Sequence, residues 1–309
     1  MKKDTLTFQA SDHVQIFTYK WAPDNVSDLK GVVQIVHGMA EHAARYERFA
    51  EALTKAGYAV YANDHRGHGK TAGSKDHIGY FADENGWAKV VDDLHTLTGI
   101  IKKELPGKPF FLFGHSMGSF LSRHYSMIYG SELTGLVLSG TGGDPGIMGK
   151  AGRCLAKLDA KLHGKKAKSE IMNKLSFGAF NNPFKPNRTD YDWLSRDNVE
   201  VDKYINDPLC GGVFTAGFFC DLLDGLVFIN QKENISRIPK NLPIYLFSGA
   251  NDPVGGNTKG VTQAYQALKR AGISDVTLKF YADGRHEMLN EMNREEVFGD
   301  VIAWLNKHV

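Results

Sequence analysis

Short apolar runs alternate with longer segments of helical period along most of this chain, and few architectures can absorb that pattern. Runs of strand length occupy residues 32–36, 58–62, 110–113, 136–138, 244–247 and 276–281, and helical stretches occupy 46–56, 87–105, 116–129, 259–271 and 295–307. Such alternation predicts an α/β fold, with a mostly parallel central sheet flanked by crossover helices. Two earlier runs, 6–8 and 14–19, are separated by Ser11-Asp12-His13 and read as an antiparallel pair at one edge. Gly57 and Gly272 stand where helices should stop.

The alternation breaks once. Residues 142–212 hold no clear strand, and within them 150–174 carry eight Lys and Arg against only Asp159 and Glu170. A loop at 181–187 precedes a polar helical stretch at 190–204. An insertion this long between two strands predicts a helical cap after the sixth strand. The expected division is a core over 1–141, a cap over 142–212 and a second part of the core over 213–309. Apolar cap residues such as Ile147, Met148, Leu155, Leu158, Leu162, Ile171, Met172, Leu175, Phe177 and Phe180 are expected mainly to pack the cap on the core, with an acyl tunnel as the alternative.

Composition serves to exclude. The 37 Lys+Arg against 35 Asp+Glu leave a net charge of +2, too even for a nucleic-acid partner. Cys154, Cys210 and Cys220 fall in no CxxC or zinc spacing, so they read as reduced thiols and suit a cytoplasmic protein. The basic start, Met1-Lys2-Lys3, is followed by no apolar core of a signal peptide, and no run is long enough to span a bilayer.

The strand at 110–113 runs into Gly114-His115-Ser116-Met117-Gly118, and a helical pattern begins at once. A G-x-S-x-G sequence between strand and helix is a nucleophile elbow. The serine sits on a strained turn, the glycines let the chain pass, and the new helix aims N–H groups at developing negative charge. A neutral serine needs a base, and the base needs an orienting acid. Asp252 lies after the strand at 244–247 and His286 after the strand at 276–281, in the order Ser, acid, His. Asp283 reads as a turn residue and Asp224 as the polar side of an apolar helix, so both rank below Asp252 as the acid. His115 reads as packed beside the elbow. The N–H groups of Met117 and of Met39, in the strand-end sequence His37-Gly38-Met39, are the expected oxyanion donors. No H-E-x-x-H, H-x-x-E-H, phosphate-binding or dinucleotide-binding pattern occurs, so neither a metal nor a cofactor is expected.

Five segments now stand in order: His37-Gly38-Met39-Ala40-Glu41-His42-Ala43-Ala44-Arg45-Tyr46, Asp64-His65-Arg66-Gly67-His68-Gly69, the elbow, Asn251-Asp252 and Arg285-His286-Glu287. Together they resemble the monoacylglycerol lipase and lysophospholipase branch of the α/β-hydrolase superfamily, along nearly the whole chain and more loosely in the cap. The resemblance implies a cofactor-free serine carboxylic ester hydrolase that cleaves the acyl ester of monoacylglycerols or similar lipid monoesters. It implies Ser116, Asp252 and His286 as the triad, and Glu41 and Arg45 at the polar end that receives a glycerol headgroup. Their i,i+4 spacing equally suits a plain helix salt bridge. Asp64 to Gly69 reads as a structural tight loop. The chain departs from the family pattern at Ser119, where another glycine is usual. A lysophospholipase or short-chain carboxylesterase is the neighbouring reading, and a ligand-binding homologue without catalysis the remote one. The basic cap is expected to be a solvated face, with peripheral contact to anionic lipid as the alternative.

Overall fold

The computed structural model describes residues 1–25, 28–74 and 77–309. Eight strands form one sheet: β1 (Lys2–Gln9), β2 (Gln15–Ala22), β3 (Gly31–Val36), β4 (Tyr58–Asn63), β5 (Phe110–His115), β6 (Gly135–Ser139), β7 (Ile244–Gly249) and β8 (Val276–Tyr281). Their order is β1-β2-β4-β3-β5-β6-β7-β8. The first two form the expected antiparallel edge hairpin, turning at His13, and β4 through β8 run parallel. Strands β3 to β7 are buried at every residue, which is why they read as unbroken apolar runs rather than alternating ones.

The helices are α1 (Glu47–Lys55), α2 (Gly86–Glu104), α3 (Met117–Tyr129), α4 (Gly146–His163), α5 (Glu170–Phe177), α6 (Asn198–Asn206), α7 (Ala216–Asn230), α8 (Lys232–Ile235), α9 (Lys259–Arg270) and α10 (Arg294–Lys307). One face of the sheet is covered by α1 and α10 through Phe49, Leu53, Val297, Val301 and Trp304. The other is covered by α2, α3 and α9, with Val90, Leu94, Leu121, Tyr125 and Val261 in one buried cluster.

Helices α4 to α8 lie between β6 and β7. The polar stretch expected as one helix over 190–204 is instead a turn followed by α6. The Asp192 carboxylate accepts from the backbone N–H of Arg188 and Thr189 and from the Thr189 hydroxyl, which folds the chain back locally. Asp197 then caps α6 through the Val199 N–H at 3.0 Å. Six apolar cap residues do not pack on the core: Ile147, Met148, Leu158, Leu162, Ile171 and Leu175 are exposed. The amphipathic cap helices turn these side chains to solvent, while Met172 is buried.

The segment from α4 to α7 is rooted on α3 at both ends. The buried Arg123 guanidinium donates from Nη1 to the Gly142 carbonyl at 2.9 Å, and from Nη2 to the Ile229 carbonyl at 3.3 Å and to Asn230 Oδ1 at 2.9 Å. Gly142 is where the chain leaves the sheet, and residues 229–230 are where α7 ends.

Candidate active site

Ser116 sits between the end of β5 and the start of α3 with φ +52° and ψ −122°, a conformation that costs a non-glycine residue energy. Its backbone is held by a bond from Ser116 N–H to the Ser139 carbonyl on β6, 2.9 Å. The flanking glycines are required by space: a Cβ on Gly118 would run into the Val36 carbonyl, and one on Gly114 into Gly118 O and Ser122 Oγ. Ser119, where the family pattern has glycine, donates its hydroxyl to the Ser116 carbonyl at 2.6 Å.

Asp252 is fully buried beyond β7. Its Oδ1 accepts from His286 Nδ1 at 3.0 Å and from the Val254 N–H at 2.9 Å, and its Oδ2 accepts from Ser248 Oγ at 3.0 Å. With Nδ1–H given to a carboxylate, Nε2 is left with its lone pair free, the form a general base needs. Burial works to lower the His286 pKa, but the charge and hydrogen bond of Asp252, with Glu287 and Glu41 further off, lift it above the ordinary imidazole value. His286 N–H is held by the Trp193 carbonyl at 3.3 Å and Glu287 N–H by the Leu194 carbonyl at 2.8 Å, so the cap grips the histidine loop. The Trp193 ring packs on the imidazole at 5.2 Å.

Ser116, His286, Met39, Met117 and Glu41 line one cavity of about 750 Å³. Gly38 lies against the serine: a Cβ there would stand 3.2 Å from Ser116 Cβ, so the Gly38–Met39 backbone borders Ser116. Neither the Met39 nor the Met117 N–H has a hydrogen-bond partner among the described residues. The loop is shaped by His37, whose Nε2 accepts from the His65 N–H at 2.9 Å, leaving Nδ1–H to donate to the Gly38 carbonyl at 2.8 Å.

Glu41 and Arg45 do pair, at 2.8 Å, but Arg45 lies on a single 3₁₀ turn (Ala43–Tyr46) and Glu41 in the loop before it, so the pair is not that of an α-helix. Glu41 Oε1 also accepts from the Gly38 N–H at 2.6 Å and the Tyr46 hydroxyl at 2.8 Å. Arg45 makes a two-pronged pair with Glu287, both contacts 2.7 Å, and stacks over Tyr204 at 5.0 Å. Glu41 therefore lines the cavity, whereas Arg45 lies behind it and links the loop at Gly38–Glu41 to the residue beside His286. Burial would raise the Glu287 pKa, but the Arg45 charge carries it down to about 2. Burial and the neighbouring Glu287 push Glu41 the other way, against Arg45.

Asp283 is an exposed turn residue with φ +59°, and Asp224 pairs with Arg153 and Lys157 on the cap surface, both away from Ser116. His115 packs against His286 at 4.7 Å and burial pushes its pKa down to about 3, so it stays neutral. Asp64 shapes its tight loop by accepting from the N–H groups of Ala43 at 2.8 Å and Lys70 at 2.7 Å. Among the described residues, His42, Asp207 and Cys210 bring donor atoms within 4.8 Å of one another. There His42 Nε2 is engaged by Asp207 at 2.9 Å, a latch between the loop after β3 and the cap.

Ser248, Trp193 and Glu287 had no role in the sequence reading. Glu287 stands in the same segment as His286 and Ser248 four residues before Asp252, the signals that point to them; Trp193 lies in the cap, far from both in sequence.

The geometry can be set beside known proteins. The Hydrolase_4 family (serine aminopeptidase, S33) matches residues 27–293. A monoacylglycerol lipase of Mycolicibacterium smegmatis is 31% identical over 307 residues, covering 98% of this chain and 97% of that one. A human monoglyceride lipase is 27% identical, covering 96% and 88%. The crystal structure of a thermostable carboxyl esterase from Bacillus coagulans, in complex with glycerol, superposes with a TM-score of 0.90 at 30% identity, covering 100% and 99%.

Proposed function

The chain belongs to the Hydrolase_4 (serine aminopeptidase, S33) family of α/β-hydrolases, and we propose that it hydrolyses the acyl ester of monoacylglycerols through an acyl-enzyme on Ser116. The observation that carries this reading is the shared cavity. Ser116 and the Asp252-backed His286 open into a space walled by Phe120, Phe177, Leu222, Leu223 and Leu226, with the carboxylate of Glu41 at its polar part. The apolar wall suits an acyl chain and the polar part a glycerol hydroxyl. The monoacylglycerol lipase relative and the glycerol-bound esterase support the same choice.

Acyl transfer then runs in two stages. Ser116 Oγ attacks the ester carbonyl as its proton passes to His286 Nε2. The carbonyl oxygen takes the negative charge between the Met39 and Met117 N–H groups, each worth about 3–4 kcal/mol in such sites. His286 then protonates the departing glycerol oxygen, leaving the acyl group on Ser116. Water, deprotonated by His286, releases the fatty acid and restores the serine. Arg45 holds Glu287, and through Glu41 holds Gly38, so the oxyanion loop and histidine loop keep a common frame.

The esterase neighbour favours one second reading, a short-chain carboxylesterase. A hydrolysis panel of monoacylglycerols, lysophospholipids and short esters separates these readings. Monoacylglycerols should give the highest kcat/KM, and Ser116→Ala should abolish turnover; full activity in that variant would reject the mechanism.

We also propose that the cap meets lipid surfaces peripherally. Ile147, Met148, Leu158 and Leu162 are exposed on α4 among Lys150, Lys157 and Lys161. Among the described residues no helix is long and apolar enough to cross a membrane. Co-sedimentation with anionic vesicles should fall when Lys165 and Lys166 become Glu; unchanged binding rejects the contact.

A further inference from the structure

Helix α7 is a wall with two working faces. Leu222, Leu223 and Leu226 turn toward the catalytic cavity. On the opposite face, at helical spacing, Gly217, Asp221, Asp224 and Phe228 line a second cavity of about 510 Å³. Its other walls are α4 and the first turn of α2. Helices α4 and α7 run in opposite directions here, since the Gly217 N–H meets the Lys165 carbonyl at 2.9 Å while Lys157 meets Asp224 at 3.4 Å. The space between them is a groove, about 16 Å long from Gly217 to Phe228 at the helical rise.

One end of the groove carries an unused donor. His124 is only 8% exposed, stacks on Phe228 at 4.2 Å, and accepts the Trp87 Nε1–H on its Nδ1 at 2.9 Å. That bond places the imidazole proton on Nε2, and this N–H has no partner among the described residues. Three acids and three lysines line the groove, but the acids are engaged, Asp83 by Tyr80 and Lys166, while Lys161 has no ion-pair partner among the described residues. Lys157 shares Asp224 with Arg153, and the Arg237 guanidinium, near enough to act on His124, has no ion-pair partner among the described residues. The Asp221 carboxylate in the wall is occupied by the backbone N–H groups of Gly86 and Trp87. Away from this end the groove is lined by Ala82, Ala160, Cys220 and Gly217, together with Asp83, Lys161 and Lys165.

We propose that this groove is a second lipid site, which binds one fatty-acid anion. Its carboxylate accepts from His124 Nε2–H beside Lys157, and its chain lies between α4 and α7 toward Gly217. The volume suits one chain, not two. The choice of a fatty acid rests on the ester hydrolysis proposed above, which releases one. Because α7 also walls the catalytic cavity, an occupant should inhibit in a way that added substrate does not relieve.

The probe is laurate, titrated calorimetrically into wild type with and without an alkyl phosphonate on Ser116. The blocked enzyme should still bind one laurate per chain. His124→Phe, which keeps the ring on Phe228 but loses the donor, and Lys157→Glu, at the surface, should each weaken that binding about tenfold. No binding to the blocked enzyme, or wild-type affinity in either variant, overturns the proposal. Monoacylglycerol turnover by unblocked wild type is read separately. Turnover without second-site laurate rejects this inference alone, and second-site laurate without turnover rejects the function alone.

Discussion

Changing Asp252 to Asn keeps the shape of its pair with His286 and removes the charge that lifts the imidazole. The base works only when neutral, so the rate falls as pH drops through the His286 pKa. Asp252 holds that pKa above its ordinary value against burial. In Asp252→Asn the acid limb of the kcat/KM profile should therefore move to lower pH, while kcat falls about 1,000- to 10,000-fold. A limb that stays in place would assign the titration to another group. At this scale the candidate serine and acid were legible because they follow fully buried strands, β5 and β7, and His286 because it follows the acid in the expected order after β8. The turn at Ser116, with its two space-limited glycines, is written in five consecutive residues. Ser248 was hidden because a serine in a loop has many uses. Trp193 was hidden because its grip on His286 spans 93 residues and uses a backbone carbonyl, which any residue could supply.

Among the elements, α3 is tied to the chain on both sides of the α4–α7 segment by a buried cation, Arg123. Arg123 satisfies carbonyls at both roots, and burial pushes its own pKa down to about 10. Arg123→Lys keeps the charge but lacks the fork needed to reach both roots. Both Arg123→Lys and Arg123→Met should lose roughly 2 kcal/mol in urea unfolding; an unchanged midpoint in the lysine variant would mean that one root suffices. The sheet and its covering helices were readable because a strand buried on both faces must be apolar throughout. The stretch at 190–204 was misread because Asp192 and Thr189 form a local turn whose composition is equally polar. The exposed cap side chains escaped for a related reason: periodicity gives a helix an apolar face but does not say what that face meets.

The molecule as a whole carries several histidines that cannot take a proton while folded. Burial holds His65 and His115 down to about 3 and His68 and His124 down to about 4. Above the ordinary imidazole value they are neutral in both states and contribute nothing. Below it the unfolded chain binds protons that the native fold refuses, so stability falls on acidification, by on the order of 1 kcal/mol per pH unit for each histidine. Thermal melts should show Tm dropping steeply from pH 7 to 5; a flat Tm would mean that these rings protonate in place. The sheet order has a consequence in time as well. Strands β1 to β6 lie side by side and end at Ser139, whereas Asp252 and His286 follow β7 and β8, beyond the cap. A chain emerging from the ribosome can thus complete the serine's turn early, yet it stays inert toward esters until its last two strands are made and docked.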